Sequence, residues 1–174
     1  MSTEQNGILL SELTIPIGKL KKIIKLIKAS NTGHYKSTRA LYRTEQYMQV
    51  RDEDFGYVCD EIILEAAKLT NVPRESLVTQ SCWGVSYQKG DSAIPHIHSQ
   101  PISWVFYVDC CIDCAPLVFP KRKLVIKPKI NQLVLFQGIV AGTDYDINIH
   151  EVPIHECNHL RTCLSGNIKL NPLN

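Results

Sequence analysis

The fold of this chain is decided by the stretch Pro95-His96-Ile97-His98-Ser99, which leads into the apolar, aromatic run Ile102 to Val108. A polar turn, Lys89-Gly90-Asp91-Ser92, precedes the stretch. Side chains alternate across an extended segment, so two histidines two positions apart lie on the same face. The sequence here therefore predicts a strand that presents two imidazoles together, followed by a second, apolar strand.

Length and composition predict one soluble domain. The chain has 174 residues, 44% of them hydrophobic, which is enough to bury most of its apolar surface in a single core. Its net charge of +2 gives no reason to expect a nucleic-acid partner. The polar segment Ser2 to Gly7 and the lack of a long apolar window argue against an export signal and a membrane span. We expect a cytoplasmic protein without membrane or nucleic-acid partners and of undetermined oligomeric state.

Two amphipathic helices are predicted in the first part of the chain. The first has apolar residues at helical spacing from Ile17 to Ile27, with lysines between them. We expect its apolar stripe to cover a sheet and its lysine face to be solvated; the alternative is that this basic face binds a membrane surface or an acidic partner. The second helix begins after Asp52, a favourable N-cap residue, and runs to Asn71, just before Pro73.

From Leu77 onward the pattern changes from helix to strand. Short runs rich in Val, Ile, Tyr, Phe and Trp are separated by Gly, Pro, Asn and Asp. Two helices followed by an all-strand block favour a mainly β fold, a double-stranded β-helix (jelly roll) flanked by two N-terminal helices. We predict one domain, 1–174, with helical support at 1–76 and a jelly-roll core at 77–170. The predicted strands are Val78 to Tyr87, Ile102 to Val108, Leu117 to Phe119, Lys123 to Ile126, Gln132 to Phe136, Tyr145 to Val152 and Leu160 to Leu170.

Three histidines are candidate ligands of one metal ion. His96 and His98 lie near the end of one predicted strand and His150 lies in another, and strand ends converge at the open end of a jelly roll. Imidazole suits iron, zinc, copper and nickel. Three protein ligands on one face of an octahedral ion leave three positions open, which is typical of a catalytic site. The alternative is a chance His-x-His pair on the surface.

A longer ordered pattern surrounds these histidines and carries a family resemblance. The pattern consists of Trp83-Gly84-Val85-Ser86-Tyr87, Gly90, Pro95-His96-Ile97-His98, Ser103-Trp104-Val105-Phe106-Tyr107-Val108, Ala115-Pro116-Leu117-Val118-Phe119, Pro128, Gln132-Leu133-Val134-Leu135-Phe136, His150-Glu151-Val152 and Arg161-Thr162-Cys163. With this order and spacing, about residues 77 to 168 resemble the iron(II)- and 2-oxoglutarate-dependent oxygenases. The likeness is greatest to small members of the prolyl 4-hydroxylase type that are often encoded by bacteriophages.

The resemblance implies a role for each matching residue. The family's two metal histidines match His96 and His150, and the arginine that binds the far carboxylate of 2-oxoglutarate matches Arg161. Arginine suits this role because its planar fork donates two parallel hydrogen bonds and stays charged; the alternative is a surface arginine on the last strand. The family's serine after the arginine is replaced by Cys163, and Tyr87 is the hydroxyl expected to compensate in cofactor binding.

One position departs from the family's pattern. Most members have His-x-Asp or His-x-Glu, which completes the facial triad of two histidines and one carboxylate, whereas this chain has His98. We expect His98 to be the third ligand, because strand geometry places it on the same face as His96. If it is not a ligand, Asp91 and Glu151 are the nearby carboxylates that would supply an oxygen.

The resemblance implies an iron(II)- and 2-oxoglutarate-dependent dioxygenase, with ascorbate as an accessory reductant. Such an enzyme converts 2-oxoglutarate to succinate and carbon dioxide and hydroxylates a C–H bond. By analogy, the expected substrate is a peptidyl proline, or else another C–H bond of a protein or a small molecule. A virus-encoded member would work in the host cytoplasm. Two other functions remain open: a three-histidine, cupin-like metalloenzyme that does not use 2-oxoglutarate, and a catalytically silent jelly-roll binding or structural protein.

The cysteines form a separate cluster in the sequence. Cys110, Cys111 and Cys114 follow a predicted strand, and Cys157 and Cys163 come later. Cys-x-x-Cys with a second pair is typical of a structural zinc site. Five residues separate the second pair, however, and the odd total of seven without an export signal favours reduced thiols. We therefore expect free thiols in loops and strands in preference to a zinc site.

Overall fold

The strands of the chain form two antiparallel sheets. The structure is a computed structural model that describes residues 2–30, 37–138, 142 and 144–171. Short 3-10 turns lie at Met48–Val50, Arg74–Ser76 and Pro120–Arg122. The helices are α1 (Ile17–Ala29) and α2 (Glu53–Thr70), and the strands are β1 (Thr3–Gln5), β2 (Ile8–Glu12), β3 (Thr38–Arg39), β4 (Tyr42–Arg43), β5 (Leu77–Tyr87), β6 (Ser92–His96), β7 (Ile102–Asp109), β8 (Leu117–Phe119), β9 (Leu124–Ile126), β10 (Gln132–Gln137), β11 (His150–Val152) and β12 (Arg161–Leu170).

The two sheets differ in size and in neighbours. The larger sheet has the order β1-β2-β10-β7-β12-β5-β4, and the smaller sheet has the order β3-β6-β11-β8-β9. β12 is an interior strand of the larger sheet and pairs along most of its length with both β5 and β7. Long non-sequential pairings between two antiparallel sheets are those of a jelly roll. The predicted mainly β fold with two flanking helices is confirmed.

The core has two layers, and strand alternation decides which residue enters each. In β7, Trp104 and Phe106 belong to the layer between the larger sheet and the helices, whereas Val105 and Tyr107 belong to the layer between the two sheets. Both faces of this strand are therefore buried, as its continuous apolar run requires. The layer between the sheets contains the open end of the jelly roll, where the histidines lie.

The helices are held on the larger sheet by a close approach and by caps. A Cβ at Gly84 in β5 would lie 2.4 Å from the Ile27 side chain, so a glycine there lets α1 lie against the strand. Asp52 caps α2 by accepting hydrogen bonds from the main-chain N–H groups of Asp54 and Phe55, both at 3.0 Å. This confirms the predicted helix start. No helix in the described ranges is long and apolar enough to cross a membrane.

The lysine face of α1 contributes to helix packing. The ammonium of Lys19 lies 2.7 Å from the carboxylate of Asp54, which is buried in the first turn of α2. A charge-assisted hydrogen bond of this kind stabilises a partly buried carboxylate. At least one lysine of the basic face therefore joins the two helices instead of being only solvated.

The strand predictions need correction at two places. No strand is predicted before α1, yet β1 and β2 form a hairpin that extends the larger sheet through β10. Its turn is Asn6-Gly7, with both residues at positive φ, and Asn-Gly is the strongest short hairpin signal. The strand predicted from Tyr145 to Val152 is a strand only at His150–Val152, because the preceding residues form turns.

Candidate metal centre

Two of the predicted histidines face each other across paired strands. His96 ends β6 and His150 begins β11, and the two residues are register partners in this antiparallel pair. Their ring centroids are 4.4 Å apart. His150 is only 4% exposed, and the ring of Phe136 from β10 packs against it with centroids 4.7 Å apart. Sheet pairing thus places two imidazoles at the edge of the inner core.

His98 completes a cluster of three imidazoles. It lies just beyond β6, and its ring centroid is 5.3 Å from that of His96 and 5.1 Å from that of His150. One nitrogen from each ring lies within 4.8 Å of the corresponding nitrogen of the other two. The structure therefore brings together the three residues that the sequence suggests as metal ligands, and a chance pair on the surface is excluded.

Main-chain carbonyls fix which nitrogen of two rings is free. Nδ1 of His96 lies 2.8 Å from the carbonyl oxygen of Ile94, and Nδ1 of His150 lies 3.0 Å from that of Asn148. A carbonyl oxygen only accepts, so Nδ1 carries the proton in both rings and Nε2 keeps its lone pair. This is the arrangement by which proteins orient histidine ligands toward a metal.

The environment keeps the three rings neutral. Burial lowers the pKa of His96, and burial together with the neighbouring His96 lowers the pKa of His98 to about 4. Burial and the two other imidazoles hold the pKa of His150 well below its usual range. Metal binding requires neutral imidazole, so the cluster is in its ligating form near neutral pH without having to lose a proton.

The alternative oxygen ligands lie elsewhere. The Asp91 carboxylate accepts a hydrogen bond from the main-chain N–H of Gln88 at 2.9 Å, within a turn. Glu151 follows His150 in β11, so alternation places its side chain on the opposite face. In the described part of the chain, no carboxylate oxygen joins the three imidazoles within 4.8 Å. Asp91 and Glu151 are therefore not brought to this site.

A close backbone contact supports the loop that carries His98. The main-chain N–H of Gly138, just after β10, donates to the carbonyl of Gln100 at 3.1 Å. A Cβ at position 138 would lie 2.2 Å from that oxygen and 2.3 Å from the carbonyl oxygen of His98. Only glycine fits there, and the contact holds the His98 loop against the larger sheet.

Arg161 is a buried cation at the start of β12. It is 1% exposed, so the interpretation as a surface arginine is wrong. Its Nε donates to the carbonyl of Ala115 at 2.9 Å and its Nη2 to the hydroxyl of Tyr107 at 3.1 Å. The guanidinium carbon lies 5.0 Å from the ring centroids of both Tyr87 and Tyr107. Across the described ranges, no carboxylate oxygen lies within 4.0 Å of this guanidinium.

One cavity between the sheets connects the histidine cluster with Arg161. Its lining includes all of the residues that the sequence suggests for metal and cofactor binding, among them Tyr87 and Cys163. Cys163 contributes because alternation along β12 turns it to the same inner face as Arg161. A second cavity shares His96 and His98 with the first and is also lined by Arg43, Trp83 and Asn167, among others.

Tyr107 is a site residue that the sequence reading does not single out. Its hydroxyl contacts Arg161, and burial raises its pKa to about 12, so it stays protonated. The alternation of side chains along β7 could have identified it from the sequence, because this alternation turns Val105 and Tyr107 to the layer between the sheets. A tyrosine at such a position needs a polar partner, and the buried arginine is that partner.

Comparison with known proteins identifies the fold. No family model matches the sequence, and no curated protein matches it either. The viral collagen prolyl hydroxylase of Paramecium bursaria Chlorella virus-1, solved as a 2-oxoglutarate complex, has a TM-score of 0.70 at 14% identity, over 93% of this chain and 95% of that chain. A 2-oxoglutarate-Fe(II) oxygenase family oxidoreductase from Burkholderia pseudomallei has a TM-score of 0.67 at 13% identity, over 94% and 84%.

A third similar structure contains a peptide. It is a prolyl hydroxylase from Trichoplax adhaerens in complex with a fragment of the hypoxia inducible factor oxygen degradation domain, with a TM-score of 0.59 at 14% identity, over 93% of this chain and 84% of that chain. At such low identity the likeness concerns the fold. The chain described here has the double-stranded β-helix fold of these oxygenases.

Proposed function

We propose that this protein, which has the oxygenase fold, is an iron(II)- and 2-oxoglutarate-dependent oxygenase that hydroxylates a C–H bond of a peptide. One observation carries the proposal: a single cavity is lined by three neutral imidazoles and by a buried arginine that has no carboxylate partner in the described ranges. The three imidazoles suit a metal ion, and the arginine suits an anion. 2-Oxoglutarate binds both to a metal ion and to a cation, so it matches this combination.

The histidine cluster has the chemistry of an iron site. Nε2 of His96 and of His150, together with a ring nitrogen of His98, would hold the ion, and imidazole is a suitable ligand for iron(II). Three protein ligands leave three positions of an octahedral ion for cosubstrate and dioxygen. When bound, iron and 2-oxoglutarate supply the oxidative decarboxylation that yields succinate and carbon dioxide and drives hydroxylation.

Arg161 has the chemistry of a cosubstrate anchor. A buried charge is costly unless it is paired, so an anionic ligand offsets the cost of burying this guanidinium. Arginine has five N–H donors, and the contacts with Ala115, Tyr107 and Cys163 leave N–H groups for a carboxylate. Those same contacts orient the guanidinium before a ligand arrives, which lowers the entropy cost of binding. Tyr87 lies over the guanidinium and shields the pair from water.

The third imidazole gives this site one more positive charge than a site with a carboxylate. His98 is neutral, whereas the aspartate or glutamate usual in the family would be anionic. The difference favours a second candidate function, a cupin-like three-histidine metalloenzyme that does not use 2-oxoglutarate. Arg161 is the feature that this second candidate leaves unexplained. We therefore rank the 2-oxoglutarate oxygenase first.

The second cavity is the proposed binding place of the substrate. It shares His96 and His98 with the first cavity, so a molecule bound there lies next to the proposed metal. Trp83 contributes an aromatic face, and the guanidinium carbon of Arg43 lies 5.5 Å from its ring centroid. An aromatic surface suits a proline ring, and the similar Trichoplax adhaerens enzyme was solved with a peptide fragment. A prolyl peptide is the first substrate to test.

Uncoupled turnover tests the activity without knowledge of the substrate. Purified protein with iron(II), ascorbate, 2-oxoglutarate and dioxygen should form succinate, and omission of iron(II) should abolish this. Metal binding with no response to 2-oxoglutarate would support the cupin-like alternative. Failure to bind any metal at the histidine cluster would support a silent binding protein.

A peptide screen tests the substrate class. Proline-containing peptides should increase succinate formation and gain the mass of one oxygen atom, whereas matched peptides with alanine at each proline should do neither. Succinate formation that no prolyl peptide stimulates would reject prolyl hydroxylation but retain the oxygenase.

A further inference from the structure

A second group of potential metal ligands lies outside the histidine cavity. The sulfur atoms of Cys111, Cys114 and Cys157 lie within 4.8 Å of one another. The sequence suggests Cys157 and Cys163 as a second pair of zinc ligands. Cys163, however, lies in the cavity beside Arg161, whereas Cys157 approaches the Cys-x-x-Cys segment. Three cysteines from two distant segments therefore meet at one point.

The spacing of the sulfurs suits a shared ion. Cys111 Sγ lies 3.5 Å from Cys114 Sγ and 3.3 Å from Cys157 Sγ. A disulfide needs about 2.05 Å between its sulfurs. Tetrahedral zinc with Zn–S bonds of about 2.3 Å places its sulfurs about 3.8 Å apart. Small outward shifts of the three side chains would give that separation.

Main-chain N–H groups donate hydrogen bonds to two of the three sulfurs. The main-chain N–H of Cys111 donates to Cys114 Sγ at 3.3 Å, and that of His159 donates to Cys157 Sγ at 3.3 Å. A coordinated metal ion deprotonates a thiol outright, and these N–H donors would stabilise the resulting thiolates.

The cluster joins two loops next to Arg161. Cys111 and Cys114 lie between β7 and β8, and Cys157 lies between β11 and β12. Ala115, the residue after Cys114, accepts the hydrogen bond from Nε of Arg161. A crosslink at the cysteines would hold this carbonyl against the first residue of β12.

We propose that Cys111, Cys114 and Cys157 bind a zinc ion that crosslinks the loop before β8 to the loop before β12. Thiolate sulfur selects zinc among the common divalent ions, and a Cys-x-x-Cys segment with a third cysteine from another loop supplies three of the four ligands of a tetrahedral zinc ion. In the described ranges no histidine, carboxylate or further cysteine joins the three sulfurs within 4.8 Å, so solvent would fill the fourth position. The site is independent of the proposed oxygenase activity.

Metal content and spectroscopy test this site directly. Protein purified under reducing conditions with zinc should retain about one zinc ion that the His96→Ala substitution does not remove. Replacement by cobalt(II) should give a sulfur-to-cobalt charge-transfer band. Cys111→Ser and Cys157→Ser should abolish the band and the tightly bound zinc, while Cys110→Ser, at the neighbouring cysteine outside the cluster, should keep both.

A thiol titration of the unmodified chain covers the case in which a variant does not fold. A zinc chelator should release the ion and expose three additional reactive thiols. A reduced chain that holds no zinc resistant to His96→Ala would overturn the proposal. The proposal would also be overturned if protein isolated without reductant had only five free thiols out of seven, because a disulfide would then account for the cluster. None of these measurements uses 2-oxoglutarate, so their outcome does not depend on the proposed activity.

Discussion

The imidazoles of His96 and His150 face each other across an antiparallel strand pair, with ring centroids 4.4 Å apart, and each is oriented in the same way. In both residues, Nδ1 is bound to the main-chain carbonyl two positions earlier, at Ile94 and Asn148. Sheet pairing sets where the rings lie and the local backbone sets which nitrogen points away from it. Main-chain geometry therefore builds both proposed ligand positions without a metal ion.

Replacement of either paired histidine should greatly weaken iron(II) binding. Loss of a residue that merely orients a ligand typically lowers metal affinity about 10- to 100-fold, so loss of a ligand in His96→Ala or His150→Ala should cost at least about 100-fold. Titration with iron(II) under anaerobic conditions measures this. The matched control is Ser99→Ala, an exposed position in the same loop as His98. Unchanged affinity in both histidine variants would exclude this cluster as the metal site.

Replacement of His98 separates its ligand role from its charge. His98→Asp should keep a metal ligand and add a negative charge, so we expect iron(II) to bind at least about tenfold more tightly, which corresponds to about 1.4 kcal/mol. His98→Ala should bind more weakly than the unmodified protein. Parallel titrations of the three proteins measure this order. If His98→Ala binds iron(II) as well as the unmodified chain does, His98 is not a ligand.

The metal-free protein should lose stability as the pH falls below about 6.5. The pKa of His98 is lowered to about 4 in the folded chain, while histidine in the unfolded chain keeps a value near 6.5. Between these values the unfolded chain binds more protons, so unfolding becomes more favourable as the pH decreases. Thermal unfolding measured from pH 7.5 to 4.5 gives the decrease in stability per pH unit. His98→Gln should reduce this decrease, and an equal decrease in both proteins would contradict the pKa shift.

Arg161→Gln should weaken 2-oxoglutarate binding while leaving metal binding intact. Loss of one partner of a buried, hydrogen-bonded charge pair costs about 2–5 kcal/mol, so the dissociation constant should rise at least about 30-fold. Calorimetric titration of the metal-loaded protein with 2-oxoglutarate measures this. Tyr107→Phe removes one acceptor from the guanidinium but keeps its charge, and should have a smaller effect. Full affinity in Arg161→Gln would remove this residue from its proposed role.

Gly138→Ala should disturb the proposed metal site through the loop that carries His98. The new methyl group would meet the carbonyl oxygens of Gln100 and His98 at 2.2 and 2.3 Å, so the His98 loop must move. Overpacking of this kind costs about 1–3 kcal/mol of folding free energy. Chemical denaturation and iron(II) titration should both show a loss. The control is Gly18→Ala in α1, where nothing lies within 4 Å of the added methyl group, and no loss is expected there.

The sequence predicts the fold class because the periodic signals are strong. The helical spacing from Ile17 to Ile27 and the cap at Asp52 have direct counterparts in α1 and α2. The hairpin of β1 and β2 is missed because its strands are short, although Asn6-Gly7 marks its turn. Strand order cannot be read from periodicity, since alternation shows which face a residue occupies but not which strand lies beside it.

The sequence predicts which candidate site residues lie together better than it predicts which residues they contact. His-x-His, His150 and Arg161 suggest a cluster, and the structure places them around one cavity. The chain cannot reveal that the partner of Arg161 is the hydroxyl of Tyr107 and not a carboxylate, because this contact spans 54 positions between two strands. The meeting of Cys157 with Cys111 depends in the same way on how two loops come together.

The three histidines are not held in the same way, and this difference has a genetic consequence. His96 and His150 are fixed by strand pairing, whereas His98 lies beyond the end of β6 in a loop that rests on Gly138. Codons for histidine and aspartate differ only in their first base. One nucleotide substitution therefore converts position 98 to a carboxylate while the two sheet-bound ligands stay unchanged. Position 98 is therefore the point at which a single mutational step would change the charge of the proposed metal centre.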